Sequence, residues 1–190
     1  MTEPNEVVKK ILAGDTEAFR TLIMAYQRLV KHIVFRMVRN ETDREDLCQD
    51  VFIKVYQNLA GFHFESKFST WVAKIAYNTC INHLKKKKVP LFNDLLPAEE
   101  PIENSLSDQD SADAFALSTD INARLQREIE KLPVQLRTIL TLYHLDEMSY
   151  AEMAEVLGMP DGTVKNYLYR ARKLLKDRLS AKYQMEELWQ

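Results

Sequence analysis

One stretch near the C-terminus, from Ser149 to Arg172, constrains the fold more than any other part of the chain. Ser149 is suited to cap a helix, because its hydroxyl can accept a hydrogen bond from an unpaired first-turn N–H. Gly158 can adopt the left-handed conformation that ends a helix. Pro160 suits the first turn of a new helix, where its missing N–H is not needed. The stretch therefore predicts two helices joined by a tight turn, the arrangement of a helix-turn-helix.

The second helix of this pair has two unlike faces. Apolar residues recur at helical spacing on one face, which predicts a buried stripe of Val164, Leu168, Ala171 and Leu175. The other face carries Lys165, Asn166, Tyr169, Arg170 and Lys173. Cations can bind phosphate, and Asn and Arg can hydrogen-bond base edges in a major groove. The pattern favours a DNA-reading helix, and a helical hairpin with a solvated charged face is the alternative interpretation.

The composition predicts an all-α protein. The 190 residues include only 4 Gly and 6 Pro, and the 46% that are hydrophobic can form a core. No signal peptide is evident and no stretch approaches the ~18 apolar residues of a membrane span, so we expect a cytoplasmic protein without stable membrane insertion. Cys48 and Cys80 lie in helical patterns away from any CxxC or His cluster, and we expect buried free thiols there.

The charge distribution divides the chain into three parts. Residues 89–123 contain eight acidic residues and no Lys or Arg. Because the whole chain has a net charge of −2, the remaining residues carry a net charge of +6. We therefore predict two small, mildly basic helical domains, residues 1–88 and 120–190, joined by a flexible acidic linker at 89–119. The linker is a solvated spacer or, alternatively, a segment whose acidity lets it lie in a basic channel as nucleic acid would.

The end of the first predicted domain combines aromatic residues with cations. A predicted loop from Phe62 to Trp71 leads into a helix that ends in the run Lys85–Lys88. Single-stranded DNA requires cations along its phosphates and flat surfaces or pockets for unstacked bases. The candidate residues are Phe62, His63, Phe64, Lys74, Tyr77, Asn78, Asn82 and Lys85. The alternatives are core packing for the aromatic rings and a solvated helix end for the lysines.

A further helix is predicted before this loop, after a long helix that runs from about Asp15 to Arg39. Thr42 and Glu45 form a capping-box pattern that predicts its start. Its predicted outward face includes Asp46, Gln49, Asp50 and Lys54.

Six blocks of sequence, in this order and spacing, resemble the extracytoplasmic-function (ECF) group of bacterial sigma factors of RNA polymerase. The resemblance covers nearly the whole chain, and although each block is only moderately specific, the ordered set is highly specific. The blocks are GDTEAF (14–19), DLCQDVFIKVY (46–56), FSTWVAKIAYN (68–78), Leu132-Pro133, SYAEMA (149–154) and GTVKNYLYRAR (162–172).

The resemblance implies a function for each part of the chain. Residues 1–88 would be sigma region two and 120–190 sigma region four. The helix carrying Asp46, Gln49, Asp50 and Lys54 would bind the beta-prime subunit of core polymerase. The loop from Phe62 to Ser69, with Asn78 and Asn82, would capture an extruded base of the minus-ten promoter element. The helix with Lys165, Asn166, Tyr169, Arg170 and Lys173 would read the minus-thirty-five element as duplex.

The resemblance also implies partners and leaves the promoter sequence open. The partners would be core RNA polymerase, through its beta-prime and beta subunits, promoter DNA in duplex and single-stranded form, and an anti-sigma factor. We expect a monomer with no cofactor, metal or catalytic residue. Many members carry Arg-Gly where this chain has His63-Phe64. Tyr167 stands where other members often have Arg or Ser, and Tyr169 stands where they often have Phe. The base preferences therefore do not follow from the resemblance.

Two other classes of function are less consistent with the sequence. A helix-turn-helix repressor or activator acting alone would usually be a dimer reading two half-sites, and no heptad or dimer helix is evident. An enzyme is unsupported, because the four His residues are scattered and no metal spacing, phosphate loop or nucleophile motif occurs.

Overall fold

The computed structural model describes residues 4–89 and 119–183, and side chains from Asn5 to Val89 and from Ala123 onwards. Within these ranges the chain forms eight α-helices and one 3-10 turn, without a strand, so the all-α prediction is confirmed. The helices are α1 (Pro4–Leu12), α2 (Thr16–Met37), α3 (Glu41–Asn58), α4 (Phe68–Lys86), α5 (Thr119–Glu130), α6 (Val134–His144), α7 (Tyr150–Leu157) and α8 (Asp161–Lys182), and the turn is Leu59–Gly61. Residues 90–118 of the predicted linker lie outside the described residues, so the domain boundaries stay predictions.

Side-chain caps define where several helices begin. Asp15 accepts a hydrogen bond from the Ala18 N–H at 3.1 Å and starts α2. Asn40 accepts one from the Asp43 N–H at 3.0 Å and starts α3. The predicted cap at Thr42 was therefore wrong by two residues, because Asn40 caps the same helix earlier and Asn is at least as good a capping residue as Thr.

The core of the first four helices lies between α2, α3 and α4. Its fully buried residues are mostly β-branched or small, and they include Val30, Ile33, Val34, Val51, Val55, Val72, Ala73 and Ala76. Cys80 is buried and Cys48 is half-buried, and both are free thiols. Burial raises the pKa of both thiols, that of Cys80 to about 12, so neither is activated as a nucleophile at neutral pH.

The last four helices pack around α6, which is buried along most of its length. One side of α6 contacts α8 and another contacts α2. Burial on both sides explains why even Thr138 and Thr141 are buried, with their hydroxyls donating to the backbone carbonyls of Val134 and Arg137.

The two groups of helices pack against each other through α2 with α6 and α4 with α7. Arg137 on α6 is 4% exposed and donates to the carbonyl oxygens of Met37 and Glu130, each at 3.0 Å. Nδ1 of His32 on α2 lies 2.9 Å from Oδ1 of Asp146. Polar contacts and apolar packing therefore both join α2 to the second group. Across the described residues, no helix is long and apolar enough to cross a bilayer.

Candidate nucleic-acid interface

The outward face of α4 carries two amides and two cations. Lys74, Asn78, Asn82 and Lys85 recur every three or four residues, so they share one side of the helix, and all four are exposed. The opposite side of α4 is held in the core by Val72, Ala76, Cys80 and Leu84. The structure thus brings half of the predicted single-strand residues onto one accessible stripe.

The aromatic residues before α4 divide between core and surface. The Phe62 ring is buried and lies 5.0 Å from the Phe68 ring and 5.3 Å from the Trp71 ring, measured between centroids. Phe62 therefore follows the packing alternative and cannot stack on a base in this arrangement. His63 is exposed, and Phe64 is 41% exposed while its ring touches that of Phe62 at 4.8 Å.

Phe64 has an unusual backbone conformation. Its φ is +60°, in the left-handed region that glycine adopts without strain. By the resemblance described above, this is the position of the glycine that many ECF members carry. The chain keeps a glycine-like turn there and presents an aromatic ring from it.

Tyr77 is the clearest departure from the predicted DNA-contact residues. Its side chain is 5% exposed. Burial raises the pKa of Tyr77 to about 12, and its hydroxyl forms a hydrogen bond with Gln135 of the second helical group. Tyr77 lies beside the exposed stripe of α4, but packing of the second group on α4 covers it, which helical spacing alone could not predict.

The predicted polymerase-binding residues on α3 differ in how exposed their side chains are. Asp46, Gln49 and Asp50 are exposed. Lys54 is half-buried and donates to the Thr79 hydroxyl of α4 at 3.1 Å. Lys54 therefore contributes to the packing of α3 against α4, whereas the other three side chains remain accessible.

An apolar cleft lies beside these α3 residues and was missed from the sequence. It has a volume of 670 Å³ between α2 and α3, and its lining includes Phe19, Ile23, Gln49 and Phe52. Ile53 and Tyr56 also line it and are 53% and 50% exposed. The sequence did contain a signal for this cleft. Large apolar residues follow Gln49 at helical spacing, and exposed patches of such residues mark interaction sites.

The helix-turn-helix forms as its local sequence predicts. The Glu152 N–H donates to the Ser149 hydroxyl oxygen at 3.3 Å, and Glu152 Oε2 accepts from the Ser149 N–H at 2.8 Å. Gly158 ends α7 with a φ of +65°. Pro160 lies one residue before α8 and not in its first turn, because α8 begins at Asp161.

The predicted reading face of α8 is largely accessible. Lys165, Tyr169 and Lys173 are exposed, whereas Asn166 and Arg170 are half-buried. Asn166 Oδ1 is buried and forms no hydrogen bond with the described part of the chain. A buried acceptor without a partner is unfavourable by about 1–3 kcal/mol.

The charge of the lysine run at the end of α4, Lys85–Lys88, is partly neutralised. Lys87 forms an ion pair with Asp43 at the start of α3, and His83 Nε2 lies 3.5 Å from the same carboxylate. The hydrogen bond from Lys87 lowers the pKa of Asp43. Lys85 has no such partner among the described residues and faces solvent on the stripe of α4.

Comparison with known proteins identifies two family segments. Residues 22–89 match the model described as Sigma-70 region 2, and residues 122–175 match Sigma-70, region 4. The chain is 32% identical over 180 residues to the ECF RNA polymerase sigma factor SigW of Bacillus subtilis, covering 90% of this chain and 94% of that protein. It is 34% identical over 177 residues to the ECF RNA polymerase sigma-E factor of Escherichia coli K12, covering 91% and 92%.

Solved structures show the same fold at low sequence identity. CnrH, in complex with the cytosolic domain of CnrY, has a TM-score of 0.65 at 20% identity over 93% of this chain and 97% of that chain. The sigma factor RpoE in complex with the anti-sigma factor NepR from Bartonella quintana has a TM-score of 0.64 at 19% identity over 88% and 100%.

Proposed function

The chain belongs to the ECF group of the sigma-70 family, and from this premise we propose that it is an alternative sigma factor of RNA polymerase. It binds core polymerase, directs it to specific promoters and promotes DNA melting when transcription begins. It acts as an initiation factor in the cytoplasm, with no catalytic centre of its own.

The exposed stripe of α4 is the observation that carries this proposal. Lys74 and Lys85 lie where they can follow the phosphates of a single strand, while Asn78 and Asn82 can hydrogen-bond a base that has left the stack. Unstacking a base costs a few kcal/mol, and capture in a fitted site offsets that cost. His63 and Phe64 lie on the accessible side of the preceding loop and would set which base is accepted.

The second DNA contact is proposed for α8. Lys165, Asn166, Tyr169, Arg170 and Lys173 would enter the major groove of the upstream element. Phosphate contacts fix the position of a recognition helix, whereas base contacts give sequence specificity. Arg170 and Asn166 are the side chains best suited to bidentate base contacts.

Core polymerase would bind the exposed face of α3. Asp46, Gln49 and Asp50 supply polar contacts there, and the adjacent apolar cleft offers a groove for a helix of the beta-prime subunit. Grooves of this kind bind the apolar face of a partner helix. The beta subunit would contact the second helical group.

An anti-sigma factor is a further proposed partner. Two proteins with the same fold, CnrH and RpoE, have been solved in complexes with the cytosolic domain of CnrY and with the anti-sigma factor NepR. An anti-sigma factor of this chain would compete with polymerase for the face of α3.

The packed arrangement of the two helical groups is too small to read both promoter elements at once. Elements at minus ten and minus thirty-five are about 25 base pairs apart, which at about 3.4 Å per pair is roughly 85 Å. A compact protein of this length has a diameter of roughly 40 Å. The two groups must therefore separate on polymerase, and a 29-residue connection can extend to roughly 100 Å.

Promoter melting by α4 variants tests this function. In holoenzyme reconstituted with core polymerase, Asn78→Ala and Asn82→Ala should each reduce permanganate reactivity of the minus-ten region by about tenfold, as a lost hydrogen bond to an unstacked base implies. Binding to core polymerase should not change, because α4 and the α3 face are separate surfaces.

Asn5→Ala on α1 is the matched control, since it removes an exposed amide away from the stripe. It should melt the promoter as the wild type does. Normal melting by both α4 variants would remove the stripe from the mechanism.

A further inference from the structure

Two tyrosine rings form a small stack beside α8. Tyr143 lies near the C-terminus of α6 and Tyr150 is the first residue of α7. Their ring centroids are 5.7 Å apart and their planes differ by 28°. Both tyrosines are half-buried.

Each ring of the stack holds one cation from α8. Lys165 Nζ lies 5.3 Å from the Tyr150 centroid, and Arg172 Cζ lies 4.9 Å from the Tyr143 centroid. Both distances fall within the roughly 6 Å at which a cation is attracted to the face of an aromatic ring. Among the described residues, neither cation forms an ion pair with an Asp or Glu side chain. Their charge is therefore positioned by the rings and not neutralised by a carboxylate.

The two cations share one side of α8. They are seven residues apart, which is about two turns and roughly 10.5 Å along the axis. Asn166 and Lys173 follow them by one residue each and so point about 100° further round the helix. Lys165 and Arg172 therefore lie at one edge of the proposed reading face, on the side where a helix in a major groove meets the sugar-phosphate backbone.

We propose that Tyr143 and Tyr150 are positioning residues that hold Arg172 and Lys165 against backbone phosphates of the upstream duplex. The stack and its two cations form a phosphate clamp along one flank of α8, while the adjacent face reads bases. Holding a flexible cation in place before binding reduces the side-chain ordering that binding requires. The clamp rests on the proposed function, since it assumes that α8 enters the upstream element.

The salt dependence of DNA binding tests the clamp. Holoenzyme containing the full chain is titrated with a cognate promoter, and with one whose upstream element is scrambled, at a temperature too low for melting. Arg172→Ala should weaken binding to both DNAs by a similar factor and reduce the slope of log K against log salt by about 0.9, the value of one lost phosphate contact. Arg170→Ala is the matched control, because a base contact should weaken binding to the cognate promoter alone.

The role of the ring is tested by a double-mutant cycle. Tyr143→Leu should weaken binding by about two- to fivefold, the range of one cation–π contact, and Tyr143→Phe should restore it because the ring is kept. In the Arg172→Ala background, Tyr143→Leu should have no further effect on DNA binding. A purely structural role of Tyr143 would persist in that background.

An unchanged salt slope in Arg172→Ala, or an undiminished effect of Tyr143→Leu in the Arg172→Ala background, would overturn the clamp. These results are distinct from failure of the proposed function. If the wild-type holoenzyme binds cognate and scrambled promoters equally, upstream reading itself is wrong. If it discriminates between them and the slope does not change, only the clamp is wrong.

Discussion

Phe64 holds a backbone conformation that favours glycine, in the loop that leads into α4. Its φ of +60° is disfavoured for residues with a side chain by about 1–2 kcal/mol. The ring contact with Phe62 offsets part of this strain, since a paired aromatic contact contributes about 0.5–1.5 kcal/mol. The strained backbone and the exposed ring lie in the loop that is proposed to capture a base. Strained backbone conformations are often found at functional sites.

Two substitutions at Phe64 separate backbone strain from ring packing. Both Phe64→Ala and Phe64→Gly remove the ring, but only glycine relieves the left-handed strain. The glycine variant should therefore be more stable than the alanine variant by about 1 kcal/mol, the reverse of their usual order. Urea unfolding of the two variants measures this difference, and an alanine variant of equal or greater stability would contradict the backbone conformation.

At the scale of helices, Glu128 ties α5 to the end of α8. It is 3% exposed and accepts hydrogen bonds from Lys131 Nζ at 2.7 Å and Lys182 Nζ at 2.8 Å. These two hydrogen bonds lower the pKa of Glu128 from its ordinary 4.5 to about 2. Because the pKa is lower in the folded state, the stabilisation is complete above pH 4.5 and is lost as the pH falls from 4.5 towards 2.

Acid unfolding of a Glu128 variant tests this contact. Glu128→Gln should be less stable than the wild type at neutral pH, and the difference should shrink as the pH falls below about 4.5. Glu45→Gln, at an exposed carboxylate of α3, should show no such change. The urea midpoints at pH 7 and pH 3 provide the comparison, and a constant difference between wild type and Glu128→Gln would contradict the role of the ion pairs.

Local signals predicted the elements better than they predicted the buried surfaces. The capping box at Ser149 and the left-handed Gly158 depend on neighbours within a few residues. The prediction of the helix-turn-helix from sequence was therefore correct. Local competition between two capping residues, Asn40 and Thr42, did shift the start of α3 by two residues from its predicted position. The burial of Tyr77 and the hydrogen bond of Lys54 to Thr79 depend on packing between distant segments, which helical periodicity does not contain.

At the scale of the whole molecule, α6 is buried because the two helical groups pack together. Arg137 shows the consequence most clearly, since desolvation by burial lowers its pKa to about 10. Its guanidinium satisfies carbonyl oxygens of both groups, at Met37 and Glu130. A salt bridge also joins the loop before α4 to the start of α7. In it, Nζ of the exposed Lys67 lies 2.8 Å from Oε1 of Glu152. Under the proposed function, this closed arrangement would open before both promoter elements are bound.

Removing Arg137 should favour the open form of the free chain. Arg137→Ala leaves the buried Met37 carbonyl oxygen without this donor, at about 1–3 kcal/mol for an unsatisfied group, whereas the Glu130 carbonyl oxygen still accepts from Arg39. The radius of gyration from X-ray scattering should rise above the roughly 16 Å of a compact chain of this length, with helical circular dichroism retained. Transcription by the holoenzyme should not fall, because the proposed function has the two groups already separated on polymerase.

Arg127→Ala removes an exposed cation of α5 and should leave the scattering unchanged. If the Arg137 variant scatters as the wild type does, this side chain does not hold the closed arrangement. A loss of holoenzyme transcription in that variant would mean that the contact also persists on polymerase.

Transcription from a genomic promoter library by core polymerase, with and without this chain, tests the central claim most directly. The account predicts new start sites that appear only with the chain and share one upstream and one minus-ten element at constant spacing. Scrambling either element should abolish initiation at those sites. Start sites identical to those of core polymerase alone, although the chain is bound to it, would contradict the assignment as a promoter-directing sigma factor.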